Sequence, residues 1–248
     1  MLEIKYWFLN EYWRKKALRE KFVFSLGTRS MELFNFGFSL DAPTLDRISR
    51  TLAEYASLQN GVFDRLKFII IDDNQLINPN TGEPMNGNGG QMDGAIKLYP
   101  NAFKNMNHRV VGVPNLEGTV IHELSHSISL DFRNAWKKKF GWVDLENGGV
   151  LPGGAKQYHR VADPSRCVTR YAEVSADEDV CESMVAALKN PNVLDLERLH
   201  FIEESFSLGE HKNSEIVEVQ KIDSPTLPEI SQPIRYKRVS PKKFEIKT

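Results

Sequence analysis

Residues 121–126 read Ile-His-Glu-Leu-Ser-His, two histidines and a glutamate set inside a run that is otherwise apolar at helical spacing. Val120, Ile121, Leu124 and Ile128 mark one apolar side, so the spacing predicts a helix capped by Asn115 and running through about Leu130. Imidazoles and a carboxylate in such a layer are costly unless a metal or hydrogen bonds compensate them. His122 and His126 are four apart and lie one above the other on the same face, so both rings can converge on one ion. Glu123 projects from the adjoining flank, where it can reach a water activated at the ion rather than the ion itself. The alternative is two ordinary helix histidines, which leaves the buried polar group unexplained.

A catalytic zinc generally takes three protein ligands and keeps a fourth position open. The extended pattern with glycine at 129 and histidine at 132 is excluded, since those positions are Ser129 and Phe132. His108, His159, His200 and His211 stand in irregular or terminal contexts, and of these His159 is the serious rival for third ligand. The better candidate lies between Tyr171 and Leu188. There Glu178 and Glu182 are four apart on a helix predicted over about Asp177 to Leu188, whose other face carries Val180, Met184, Val185 and Leu188. One carboxylate can bind the metal, and the other can accept a hydrogen bond from the far nitrogen of a ligating imidazole. Without a metal, Glu178, Asp179 and Glu182 read as a solvated acidic helix start, favourable at the positive end of the dipole.

The flanking chain supplies a scaffold. Asp41 and Pro43 open a helix with Leu45, Ile48, Leu52 and Tyr55 on one face and Gly61 as its stop. Leu66 to Ile71 reads as a buried strand, residues 74–94 as a glycine- and proline-rich loop, and Met92 to Tyr99 as a second strand. Residues 131–170 read as irregular, and Leu194 to Phe206 as the last helix. Residues 1–24 carry aromatics among basic residues and suggest an amphipathic helix. The chain then divides into an N-terminal helical segment (1–39) packed on the domain, a catalytic domain (40–208), and a polar, proline-containing tail or linker (209–248).

Bulk properties exclude several classes. The 32 basic and 33 acidic side chains nearly cancel, so no global field draws the chain to nucleic acid or an anionic membrane. The basic cluster from Arg235 to Lys243 has no stacking platform beside it, and no nucleic-acid partner is expected. No stretch of about 18 apolar residues predicts a membrane span, and no apolar export signal opens the sequence. Cys167 and Cys181 are then expected as reduced thiols in a cytoplasmic protein, with leaderless export compatible.

A helix with His-Glu-x-x-His followed by a helix with Glu-x-x-x-Glu resembles the gluzincin metallopeptidases. The compact form, with Tyr171 seven residues before Glu178 and Glu182 four after it, is most similar to the minigluzincins and the catalytic domain of anthrax toxin lethal factor. Two positions depart from the usual pattern: Ser125 replaces a glycine and Cys181 an alanine, both small changes. The resemblance spans roughly residues 40–206. It implies an α+β, zincin-like fold: a small mixed sheet, an active-site helix and a mainly helical C-terminal subdomain. It also implies one zinc ion on His122, His126 and Glu178, Glu182 in the outer shell, Glu123 as general base, and Tyr171 stabilising the tetrahedral intermediate. A peptide or protein substrate would pair along the strand at Met92 to Tyr99 as an edge strand. The alternative is an inactive or latent metallopeptidase-like binding module, with the tail lying in the cleft in the latent form.

Overall fold

The computed structural model describes residues 18–26, 29–58, 68–78, 82–90, 95–151, 156–206 and 217–222. Its strands are β1 (Glu20–Leu26), β2 (Arg29–Asn35), β3 (Phe68–Ile71), β4 (Gly87–Gly90), β5 (Ala95–Leu98), β6 (Trp142–Val150), β7 (Lys156–Val161) and β8 (Val217–Ile222). Six of them form one mixed sheet in the order β4-β5-β3-β2-β1-β8, while β6 and β7 pair as a separate hairpin. The central pairs β2–β3 and β3–β5 are parallel; β4 runs antiparallel to β5, and β1 antiparallel to both β2 and β8. Side chains alternate across this sheet. Ile69 and Ile71 enter the main core, while Phe68 and Ile70 join Phe34, Phe36 and Ala95 in a smaller cluster on the other face. Burial on both faces is why β3 reads as an unbroken apolar run.

The helices are α1 (Ala42–Ala56), α2 (Asn115–Ser125), α3 (Leu130–Lys139), α4 (Ala176–Lys189) and α5 (Leu196–Phe206), giving an α+β chain with a small sheet and several helices. Asp41 caps α1 as expected, accepting from the Thr44 amide at 2.9 Å, and Ile48, Leu52 and Tyr55 are buried. Arg47 of α1 clamps Glu117 of α2 with two hydrogen bonds, of 2.8 and 2.5 Å. Tyr55 donates to Ser125 Oγ at 3.2 Å, and Ser125 donates to the Ile121 carbonyl at 2.7 Å, so the serine has a fixed place in the packing. Every residue of α2 except Glu117 is buried.

Several expectations are corrected. The stretch expected to end an N-terminal helix is strand β1, whose Phe22 and Phe24 alternate into the core; residues 1–17 lie outside the described residues. Gly61 also lies outside them. The strand read at Met92 to Tyr99 is observed as β5, and it is internal; the edge beside it is β4, which formed part of the expected loop at 74–94. Residues 131–170 are not irregular. They hold α3, started by Ser129, whose Oγ accepts from the Phe132 amide at 3.3 Å, and then the β6–β7 hairpin. In the tail, β8 pairs with β1 at the sheet edge opposite β4, so this segment does not lie along β4; residues 223–248 are outside the described residues. Among the described residues no helix is long and apolar enough to cross a membrane.

A buried hub ties the C-terminal elements together. Asp179 Oδ2 accepts from Trp136 Nε1 at 2.8 Å, Trp142 Nε1 at 3.1 Å and Arg198 Nη2 at 2.9 Å, joining α3, β6, α4 and α5. Both charges are sealed, with Asp179 0% and Arg198 1% exposed, so losing one leaves the other stranded. Asp179→Ala is expected to lower the unfolding free energy by about 3–5 kcal/mol. Urea unfolding measures it, and a loss below about 1 kcal/mol would contradict the hub.

Candidate metal centre

Two helix ends meet at the site. Helix α2 stops at Ser125, a turn earlier than expected, and His126 is its C-cap residue at φ −61°, ψ −14°. Asn115 is not the cap but the first residue after Pro114. Its side chain instead donates to the Asn101 and Ala102 carbonyls at 2.8 and 3.1 Å and accepts from Asn86 at 2.9 Å. At the start of α4, Ser175 Oγ accepts from the Glu178 amide at 3.1 Å. Arg133 of α3 spans the two ends, donating to the His126 carbonyl and, at 3.1 Å, to Asp177.

This packing brings His122, His126, Glu178 and Glu182 together. Glu178 Oε2 lies 3.1 Å from His122 Nε2 and 3.9 Å from His126 Nε2, and it is a buried oxygen without an aligned hydrogen bond. Donor atoms about 2.0–2.2 Å from one tetrahedral ion lie roughly 3.3 Å apart, so the Glu178–His122 spacing suits a shared ion, while the His126 ring stands somewhat further off. On the far side of the ring, His122 Nδ1 is 2.8 Å from Glu182 Oε1, although the N–H is not aimed squarely at it. Thr169 Oγ1 donates to Glu182 Oε2 at 2.9 Å and fixes that carboxylate.

Among the described residues, the sets of donor atoms within 4.8 Å of one another are His122, His126 and Cys181, and His108, His122 and Glu182. These His/Glu groupings can hold a metal ion. Distance alone therefore favours Cys181 over Glu178, but chemistry argues the other way. Cys181 Sγ sits 3.5 Å from His126 Nδ1, the nitrogen turned from Glu178, and burial holds its thiol well above the usual range. Glu178 sits on the Nε2 side of both rings. Both cysteines are free.

Electrostatics show carboxylates that favour positive charge beside them. Burial opposes protonation of His122, yet Glu178 and Glu182 outweigh it and raise its pKa to about 10. Glu178 is opposed by burial too, but His126, His122 and Arg109 bring it down to about 2. His126 is pushed down to about 4 by burial, against the pull of Glu178. A proton on His122 and a divalent cation would each satisfy the same carboxylates.

Glu123 is buried beside β4. Burial chiefly raises its pKa to about 7; His122 opposes this and Glu178 adds to it, while the Gly89 amide hydrogen-bonds to the carboxylate. The strand approaches so closely that a Cβ on Gly89 would stand 2.4 Å from the Glu123 carbonyl oxygen, and one on Gly87 2.6 Å from Glu123 Cγ. Only glycine fits there. Tyr171 lies with its ring 6.0 Å from that of His122, its hydroxyl held neutral by burial and then by Glu178. The rival His159 is engaged elsewhere, accepting from the Ala176 amide at 3.0 Å and facing Asp144 at 3.1 Å.

His108, set aside in the sequence as a histidine in an irregular context, joins the cluster. It is buried with Nε2 3.8 Å from Glu182 Oε1, and its Nδ1 accepts from the Val110 amide at 3.2 Å, which leaves the Nε2 proton toward Glu182. Its signal was Gly118, four residues before His122 on the same face of α2, where a Cβ would stand 2.5 Å from His108. An interior helix glycine costs about 1 kcal/mol against alanine, so it signals a close neighbour.

The chain matches no protein family, no curated sequence and no solved structure. Its class so far is that of an α+β protein with a buried His/Glu cluster able to hold a metal.

Burial lowers the pKa of His108 from 6.5 to about 4, so the unfolded chain takes up this proton first, and the stability contribution is lost as pH falls below 6.5. Glu123 and His122, both raised, push the other way, so the effect is read as a difference. Between pH 6.5 and about 5, metal-free His108→Gln is expected to gain about 2 kcal/mol relative to the parent. Denaturant unfolding at both pH values measures it; a constant difference would contradict this reading of His108.

Proposed function

We propose that this chain is a zinc-dependent endopeptidase of the gluzincin type, built on a zincin-like fold. The observation that carries the reading is one buried, unsatisfied carboxylate oxygen, Glu178 Oε2, facing the Nε2 atoms of both His122 and His126. Those three residues would hold the ion, and Glu182 would orient His122 through Nδ1. Zinc held there would supply Lewis acidity, polarising a carbonyl and lowering the pKa of a water.

The chain's own residues supply the remaining roles. Glu123 takes the proton from the attacking water and passes it to the leaving nitrogen, and a carboxylate near neutral pKa is matched to both transfers. Tyr171 keeps its phenolic proton and can donate it in a hydrogen bond to the developing oxyanion. Among the described residues β4 ends the sheet, so an extended peptide could add a strand at its outer edge beside Glu123. On this reading the substrate would lie along Gly87–Gly90 rather than along the strand expected from sequence.

Purified protein should carry close to one zinc per chain by elemental analysis, and Glu178→Ala should lose it; normal retention would remove Glu178 from the ligand set. Glu123→Gln should keep the metal while peptide cleavage falls by about 10²–10⁴. Cleavage at the parental rate would defeat the mechanism. No cleavage of any peptide by the zinc-loaded parent would favour the binding-module alternative.

A further inference from the structure

Arg109 is a cation at the metal cluster that no step above uses. It is exposed, between the buried residues His108 and Val110. Its backbone turn is pinned by His108 N–H to the Val113 carbonyl at 2.8 Å, Val113 N–H to the Val110 carbonyl at 3.3 Å, and Asn115 N–H to the Met106 carbonyl at 2.9 Å. The guanidinium carbon lies 4.1 Å from the centroid of the Tyr171 ring. Its charge reaches Glu123, Glu178 and Glu182, helping to lower the pKa of the last two and opposing the rise at Glu123. Yet among the described residues it forms no ion pair or hydrogen bond with any carboxylate. An arginine present only to neutralise the acidic cluster would be expected to pair with one of its members.

We propose that Arg109 binds a carboxylate of the peptide substrate, so that the enzyme prefers peptides carrying an acidic group next to the cleaved bond. The proposal rests on the peptidase reading and names its substrate class. A guanidinium presents a planar fork of donors that matches a carboxylate with two parallel hydrogen bonds. Stacking on Tyr171 restricts the side chain beforehand, so less freedom is lost when the carboxylate arrives. Because the same ring is assigned to the oxyanion, a carboxylate on Arg109 lies near the reacting carbonyl. The carboxylate can be a free C-terminus or an Asp or Glu side chain.

The test uses the zinc-loaded full chain and two matched peptide pairs, one with internal Glu or Gln and one ending in a free acid or an amide. The acidic member of at least one pair is expected to be cleaved with about tenfold or greater kcat/KM, mostly through KM. The pair that shows the preference identifies the source. Arg109→Ala should bring the acid-to-neutral ratio toward one, whatever happens to absolute rates, and Arg109→Lys should give an intermediate ratio. No preference in either pair, or an unchanged ratio in Arg109→Ala, overturns the proposal. If no peptide is cleaved, the peptidase reading fails separately. Calorimetry of succinate and its monoamide on zinc-loaded Glu123→Gln then reads Arg109 directly. Tighter succinate binding that Arg109→Ala abolishes supports carboxylate recognition; equal binding, or insensitivity to Arg109→Ala, overturns it.

Discussion

One imidazole held between two carboxylates organises this molecule. His122 has Glu178 at 3.1 Å from Nε2 and Glu182 at 2.8 Å from Nδ1, and all three come from the facing helices α2 and α4. Two carboxylates cannot stay close in a buried site without positive charge between them, and they raise the pKa of the His122 ring that lies between them. The same demand makes the cluster a credible seat for a divalent cation. It also requires α2 and α4 to keep their relative position, which falls to groups outside the site. Arg133 joins their ends, and Asp179, next in sequence to Glu178, is locked by two indoles and Arg198. The hub fixes the first turn of α4, and with it the direction in which Glu178 faces.

Close approach is the second requirement, and glycine meets it on two sides of one helix. Gly118 lets the His108 ring lie against α2, adding a further donor toward Glu182. Gly87 and Gly89 let β4 pass over Glu123 with no side chain between them, so a backbone amide reaches the carboxylate directly. A longer side chain at either strand position would lift the sheet edge off the helix and expose Glu123 to solvent.

Sequence reasoning succeeded where periodicity and local chemistry agreed. Helix α1, with Asp41 at its start, and helix α4, with its apolar face, were legible because capping and a 3.6-residue repeat act within a few residues. It failed where period 2 was hidden by aromatic richness. Residues 1–24 suggest an amphipathic helix, although the alternation of Phe22 and Phe24 with Lys21, Val23 and Ser25 is that of β1. It failed again at β4, because a strand made of glycines and one asparagine has turn composition and is a strand only through its partner β5.

By itself, the sequence determined the candidate ligand types and their helical spacing. His122 and His126 four apart, and Glu178 and Glu182 four apart, share faces for geometric reasons that no tertiary contact alters. It could not decide which carboxylate faces which ring nitrogen, whether His159 or Glu178 stands on the Nε2 side, or that His108, Thr169 and Arg109 belong to the same cluster. Those outcomes depend on how α2, α4 and the turn before α2 pack, and pairing between residues tens of positions apart leaves no local periodicity to read. The early end of α2 at His126 belongs to that second group. The helix stops where a separate helix, α3, begins at its own serine cap, and Arg133 from that helix then holds the His126 carbonyl in place.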